Sequence, residues 1–266
     1  MRWTEALGLG LFALASGYGF LQIAATSPPR EVRIAGYVSS LRGRSPSQRR
    51  NARLAAWAVN GAVVPPGGLF SFDKRVGSWS ADHGYVQAPV SYDGELVNAV
   101  GGGVCQTSST LYNAALLAGM QIVERHPHHF CPEYVPPGRD AAVAQTIIDL
   151  RFKNPYPWPV RIECRATQDT LEASFWAPKQ PTLQAHVETQ ILSTTQPQRK
   201  TMILSNNSRG HGLHARLLSI GVPGYRVITY RTFTRPDGTI VRRERISDST
   251  YAAADRIIGI YQTSLR

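Results

Sequence analysis

Cysteine is scarce in this 266-residue chain, and so is negative charge. The three cysteines, Cys105, Cys131 and Cys164, are too few for a disulfide scaffold, and the odd count leaves at least one thiol without a partner in the same chain. No second cysteine lies near Cys105 in sequence, which argues against a redox pair. Acidic residues number 18 against 29 lysines and arginines, a formal net charge of +11. Such a balance suits an anionic partner (nucleic acid, lipid headgroups or an anionic cell-wall polymer), or a basic surface that is simply solvated. Helical His-x-x-x-His spacing is missing from His126-Pro127-His128-His129, so those histidines are read as a loop cluster with no metal, a Cys105–His zinc site being the alternative, and no cofactor is expected. With 42% hydrophobic and 18% charged residues, neither disorder nor a fibrous repeat is indicated.

Charge is absent altogether between Ala6 and Ala25. Leu7, Leu9, Leu11, Phe12, Leu14, Phe20, Leu21 and Ile23 make that run apolar, at close to the roughly 20 residues needed to span a bilayer. A cleavable signal peptide is the competing reading, since Ala24-Ala25-Thr26-Ser27 supplies small residues at its end. Either way the protein is expected outside the cytoplasm, anchored to the membrane by this segment or secreted. Export removes nucleic acid from the list of partners and favours peptidoglycan or an anionic wall polymer. It also permits disulfides. Cys131 with Cys164 is the pairing that leaves Cys105 free, and burial of both as small apolar residues is the alternative.

What the chain does have is the stretch Gly101-Gly102-Gly103-Val104-Cys105-Gln106-Thr107-Ser108-Ser109-Thr110, followed by a helical pattern. Thr107, Ser108 and Ser109 are N-cap residue types; Leu111, Ala114, Ala115 and Ala118 recur at helical spacing, and Gly119 is a stop. The spacing predicts a helix over 107–118, with Cys105 at or just before its N-terminus. There the helix dipole and unpaired N–H groups favour a thiolate. A base is then required: His126 and His128 are the candidates, with Asp140 or Asp149 to orient one of them. Gln106 or the Cys105 N–H would stabilise an oxyanion.

The run GGGVCQTSSTLYNAALLAGMQIVERHPH resembles the signature of the VanW family. Asn51-Ala52-Arg53-Leu54-Ala55-Ala56, Val64-Pro65-Pro66-Gly67-Gly68-Leu69-Phe70-Ser71-Phe72-Asp73, Tyr134-Val135-Pro136-Pro137-Gly138-Arg139-Asp140 and Asp149-Leu150-Arg151-Phe152-Lys153-Asn154 extend the likeness over roughly residues 48–178. The order of cysteine, histidine and aspartate is similar to that of papain-like and transglutaminase-like enzymes. This implies attack on an amide carbonyl, with Cys105, His126, His128 and Asp140 catalytic and Gly101, Gly102, Gly103, Gln106, Thr107 and Arg139 against substrate. The alternative is a wall-binding or accessory protein whose glycine run cradles an anion while Cys105 merely packs.

The remaining pattern predicts an α+β fold: the motif helix packed on an antiparallel sheet, then a smaller all-β C-terminal region. Residues 1–30 form the leader and linker, 31–180 the main domain and 181–266 a strand-rich domain, with the boundary at Pro178–Pro181. Strands are expected at 31–38, 121–125, 147–152, 160–164, 171–176, 185–192, 225–233 and 239–246, a hairpin at 87–100, and a helix from Ser45 to Asn60-Gly61 with Trp57 at its margin. Gly221, Gly224, Asp237-Gly238 and Ile257-Ile258-Gly259 together resemble a degenerate five-glycine domain.

Overall fold

The computed structural model describes residues 30–92, 95–205 and 213–262. The apolar run at 6–25 and the Asp93-Gly94 turn lie outside them. The first half contains β1 (Val32–Ser40), α1 (Pro46–Val59), β2 (Val63–Val64), β3 (Leu69–Ser71), α2 (Phe72–Val76), β4 (Gln87–Tyr92), β5 (Glu95–Val100) and α3 (Val104–Leu117). Then come β6 (Gln121–Glu124), β7 (Arg151–Lys153), β8 (Val160–Ala166), β9 (Thr170–Ala177) and β10 (Gln184–Thr195). The last strands are β11 (Arg199–Ser205), β12 (Leu213–Val222), β13 (Gly224–Thr234), β14 (Ile240–Tyr251) and β15 (Ala254–Gln262).

Strands thus predominate, more than the expected balance of helix and sheet. A four-stranded antiparallel sheet in the order β1-β9-β8-β2 carries the core, with α3 packed on β1 and β9 and α1 on β8. The region from β10 onward is all-β. Antiparallel β10-β13-β14 lies beside a β11-β15-β12 sheet in which β11 and β15 run parallel. The expected boundary at 178–181 falls in the connection from β9 to β10.

Helix α1 forms where its signals predict. Ser45 accepts from the Gln48 N–H while the Gln48 side chain returns to the Ser45 N–H, and Pro46 occupies the first turn. Its buried face is Asn51, Ala52, Ala55, Ala56 and Val59, the i, i+4 pattern of a helix covering a core. Trp57 does not pack at the margin: it is 78% exposed.

Helix α3 starts three residues earlier than its hydroxyl pattern predicts. Gly103 is the cap, with φ of 110°, a conformation that side-chain-bearing residues adopt only under strain. Thr107, Ser108, Ser109 and Thr110 lie inside the helix and are fully buried. Each finds an acceptor: Thr107 donates to the Ala52 carbonyl, Ser108 to Ala141, Ser109 to Cys105 and Thr110 to Gln106. The helix is buried on nearly every side, so its polar residues must be satisfied internally. A Cβ built on Gly103 would stand 2.3 Å from the Gln48 carbonyl oxygen. Gly103→Ala is expected to destabilise the protein by about 2–4 kcal/mol, from backbone strain and the clash together; urea denaturation measures it.

One expected strand is shorter than predicted. Residues 147–150 lead into β7 without joining it, apart from a bridge between Ala144 and Ile148. Asp149 is the reason: its carboxylate accepts from the Ser71 hydroxyl at 2.5 Å and the Asp73 N–H at 2.8 Å. It is therefore held at the start of α2.

Candidate functional site

Cys105 is the second residue of α3. The leading N–H groups of a helix have no acceptor within it. Here Val104 donates to the Gly101 carbonyl and Gln106 to that of Gly103, while the Cys105 N–H has no acceptor among the described residues. The Cys105 Sγ lies 3.4 Å from the Val143 carbonyl oxygen, and His128 is the neighbour that lowers its thiol pKa. The loop after β6 delivers that histidine. Its Nδ1 meets Asp140 Oδ2 at 2.6 Å, and its backbone N–H donates to the same oxygen at 2.7 Å. With Nδ1 engaged, Nε2 is the nitrogen left for the thiol.

Asp140, 1% exposed, is the most heavily bonded group of the site. Besides His128 it accepts from Arg125 Nη2 at 2.7 Å and from the Tyr251 hydroxyl. Burial pushes its carboxyl up, but the His128 hydrogen bond, the Arg125 and His128 charges and Tyr251 outweigh it and hold the group down at about 2. Burial likewise opposes charge on His128, yet its hydrogen bonds to Asp140 and Cys105 raise it to about 10. Burial raises the Cys105 thiol; the hydrogen bond and charge of His128 more than reverse that, and its pKa falls below the ordinary value. The pair is shifted toward thiolate and imidazolium, with the imidazole oriented by a buried carboxylate. Chemically, such an arrangement suits a nucleophile with a proton donor beside it.

Of the residues expected on sequence grounds, Cys105, His128 and Asp140 come together. His126 does not join them: its ring points to Glu124 at 3.2 Å, and its side chain is 42% exposed. The glycine run is packed rather than open. A Cβ on Gly101 would meet Trp79 at 2.6 Å, and one on Gly102 the Pro89 carbonyl at 2.7 Å. Gln106 donates to the Ser39 hydroxyl and the Ser40 carbonyl, so its amide is turned into the core. Thr107 is bound to α1 by its bond to Ala52. Arg139 is buried, donating to Asn113 Oδ1 and the Val187 carbonyl with its guanidinium 5.7 Å from the Tyr37 ring centre. Each is engaged with the protein itself. Among the described residues no group of three or more His, Cys, Asp and Glu side chains is arranged to hold a metal ion.

A family model described as VanW like protein matches residues 47–176. This segment of the chain belongs to the VanW family. Its VanW domain contains the whole Cys105–His128–Asp140 constellation. Over 129 residues the chain is 44% identical to the uncharacterized protein YoaR of Bacillus subtilis, covering 48% of this chain and 43% of that one. Over 137 residues it is 30% identical to the vancomycin B-type resistance protein VanW of Enterococcus faecalis, covering 49% and 50%. The chain thus spans about half the length of the curated relatives it matches. Two solved structures align over about a third of it. They are the G5 domain of IgA1 protease (23% identity, 32% of this chain and 96% of that one, TM-score 0.20) and HP0197-G5 (19% identity, 30% and 97%, TM-score 0.14).

Three groups of this VanW site escaped the sequence reading. Arg125 reads as the end of a strand, yet its guanidinium bonds Asp140 twice and reaches Ser249 and Tyr251. Tyr251 lies 111 positions beyond Asp140, too far for any spacing rule. Tyr134 presents its ring edge-on to His128, with centroids 6.5 Å apart. Burial and the nearby Cys105 charge push its hydroxyl well above its usual range, so it stays protonated.

All three thiols are free, and no disulfide links Cys131 to Cys164. Burial raises both to about 12. Iodoacetamide at neutral pH should therefore label one site only; intact mass and peptide mapping should show a single adduct on Cys105.

Proposed function

We propose that this VanW protein is a cysteine-dependent acyl transferase or hydrolase acting on peptide amides of the cell envelope, with peptidoglycan peptides as its substrates. The observation that carries the reading is the buried Asp140 oriented on His128, which in turn reaches Cys105. In the first step the Cys105 thiolate attacks the amide carbonyl carbon, forming a C–S bond while the carbonyl electrons move to oxygen. The unpaired Cys105 N–H at the start of α3 faces the developing oxyanion. His128 gives its proton to the departing amine nitrogen as the C–N bond breaks, leaving a thioester. Water or a second amine, deprotonated by His128, attacks the thioester and expels the thiolate. Asp140 stays ionised throughout.

The envelope setting is supported by the charge-free run from Ala6 to Ala25, by the net charge of +11, and by a relative named as a vancomycin B-type resistance protein. Residues 181–266 would serve as a wall-contacting module of five-glycine type. Gly224 approaches the backbone of Ala253 and Tyr251 too closely for a side chain, and Gly221 has φ of 73°. Part of the basic charge is neutralised internally: exposed Arg243 meets Glu188 at 2.5 Å, and buried Arg231 meets Glu244 at 2.7 Å.

The test is incubation with peptidoglycan peptides, read by mass spectrometry for products and for an acyl adduct on Cys105, with Cys105→Ala as control. Turnover should rise as pH climbs through the depressed thiol pKa and fall above about 10, where the imidazolium proton donor is lost. If the wild-type thiol titrates as an ordinary thiol and no product forms, the enzymatic reading is wrong and a search for anionic wall ligands replaces it.

A further inference from the structure

A cationic side chain stands one ring away from the imidazole, and no carboxylate among the described residues neutralises it. Arg44 ends the turn from Leu41 that leads into α1, its N–H donating to the Leu41 carbonyl at 3.1 Å. Its guanidinium carbon lies 5.3 Å from the centre of the Tyr134 ring, the ring that meets His128 edge-on at 6.5 Å. Tyr134 thus neighbours both Arg44 and the imidazole. The Arg44 Nε is buried and has no hydrogen-bond partner among the described residues, and no carboxylate there pairs with its guanidinium. Neighbouring Arg42, by contrast, meets Asp169 at 3.4 Å. A buried guanidinium nitrogen without an acceptor is costly. The Nη atoms, which are not among the buried unpartnered ones, present planar donors that fit a carboxylate.

We infer that Arg44 is the anion-recognition element of the Cys105 site, and that the acyl donor is a peptide carrying a carboxylate within roughly three residues of the scissile amide. The reach follows from the ring-to-ring path, since each extended residue spans about 3.5 Å. This rests on the nucleophile reading above and narrows it to anionic peptides. Arg44 acts on substrate position and not on the thiol: Asp140, Arg125 and Tyr251 already fix the imidazole from the other side.

The test uses two small alkylating probes of nearly equal shape, anionic iodoacetate and neutral iodoacetamide. The second-order rates at Cys105 are measured at neutral pH in the full chain and expressed as a ratio for each variant. The helix terminus and His128 also favour an anion, but they are common to all variants and cancel in the comparison. Arg44→Gln should lower the iodoacetate-to-iodoacetamide ratio about 10-fold; Arg44→Lys should keep part of it, and the surface control Arg42→Gln should stay near wild type. Added salt should shrink the wild-type ratio and leave that of Arg44→Gln nearly unchanged. An equal ratio in wild type and Arg44→Gln overturns the inference while leaving the nucleophile intact. Wild-type iodoacetamide labelling no faster than that of an ordinary thiol defeats the nucleophile reading, and the role of Arg44 falls with it.

Discussion

Asp140→Ala should cost about 3–5 kcal/mol of folding stability, the range for removing one partner of a buried ion pair. The aspartate is 1% exposed and the Arg125 side chain 5%. Without the carboxylate, a desolvated guanidinium, the His128 N–H and the Tyr251 hydroxyl all lose an acceptor. Asp140→Asn keeps the volume and an acceptor oxygen and should cost less. Urea denaturation at neutral pH separates the two. The pH dependence has a definite sign. Asp140 is held at about 2, below its unfolded value, so its contribution is present above about 4 and lost as pH falls toward 2. His128 is raised to about 10, so its contribution is full below about 6.5 and lost as pH rises through 10. Wild type should lose stability at both ends, and Asp140→Ala should flatten both limbs.

His128→Ala should slow alkylation of Cys105 at pH 7 by about 10-fold or more. A thiol returned to an ordinary pKa near 8.5 is only about 3% ionised at that pH. The higher intrinsic nucleophilicity of the more basic thiolate gives back part of the loss. The rate-against-pH curve is the decisive readout, since its midpoint should move upward in the variant. His126→Ala should leave the curve where it is, because that ring faces Glu124. A curve that moves equally in both variants would mean that the thiol senses overall charge and has no specific partner.

The sequence was most readable where one residue type has one mechanical use. Ser45 with Pro46 and Gln48 announces a helix start, and the alternating runs at 225–233 and 239–246 announce a hairpin; both are present. Cys105, His128 and Asp140 were readable as chemistry, because a cysteine at a helix start needs a base and the base needs an anchor. The choice between His126 and His128 was not readable. It depends on which ring the loop turns inward, and hence on Asp140 lying between Arg125 and Tyr251. Gly101, Gly102 and Gly103 suggested a cradle, but close backbone approach serves packing as readily as ligand binding, and here α1, Trp79 and β4 occupy the space. Thr107 to Ser109 misled for a related reason. Hydroxyls mark a helix cap when water surrounds them, and they mark a helix interior when neighbouring carbonyls are available.

The hydroxyl of Tyr251 on Asp140 has a consequence in time. Cys105, His128 and Asp140 are all in place along the chain well before Tyr251, yet the carboxylate that orients the imidazole receives a hydroxyl from the end of β14. A chain folding from its N-terminal side can assemble α3 and its sheet first, leaving the aspartate open to water and the histidine free to turn. Only when β14 docks does the carboxylate gain that hydroxyl and its full enclosure. Under the function proposed above, the Cys105 site would thus be completed late in folding, which would spare a reactive sulfur the interval when stray amides and oxidants have easiest access to it.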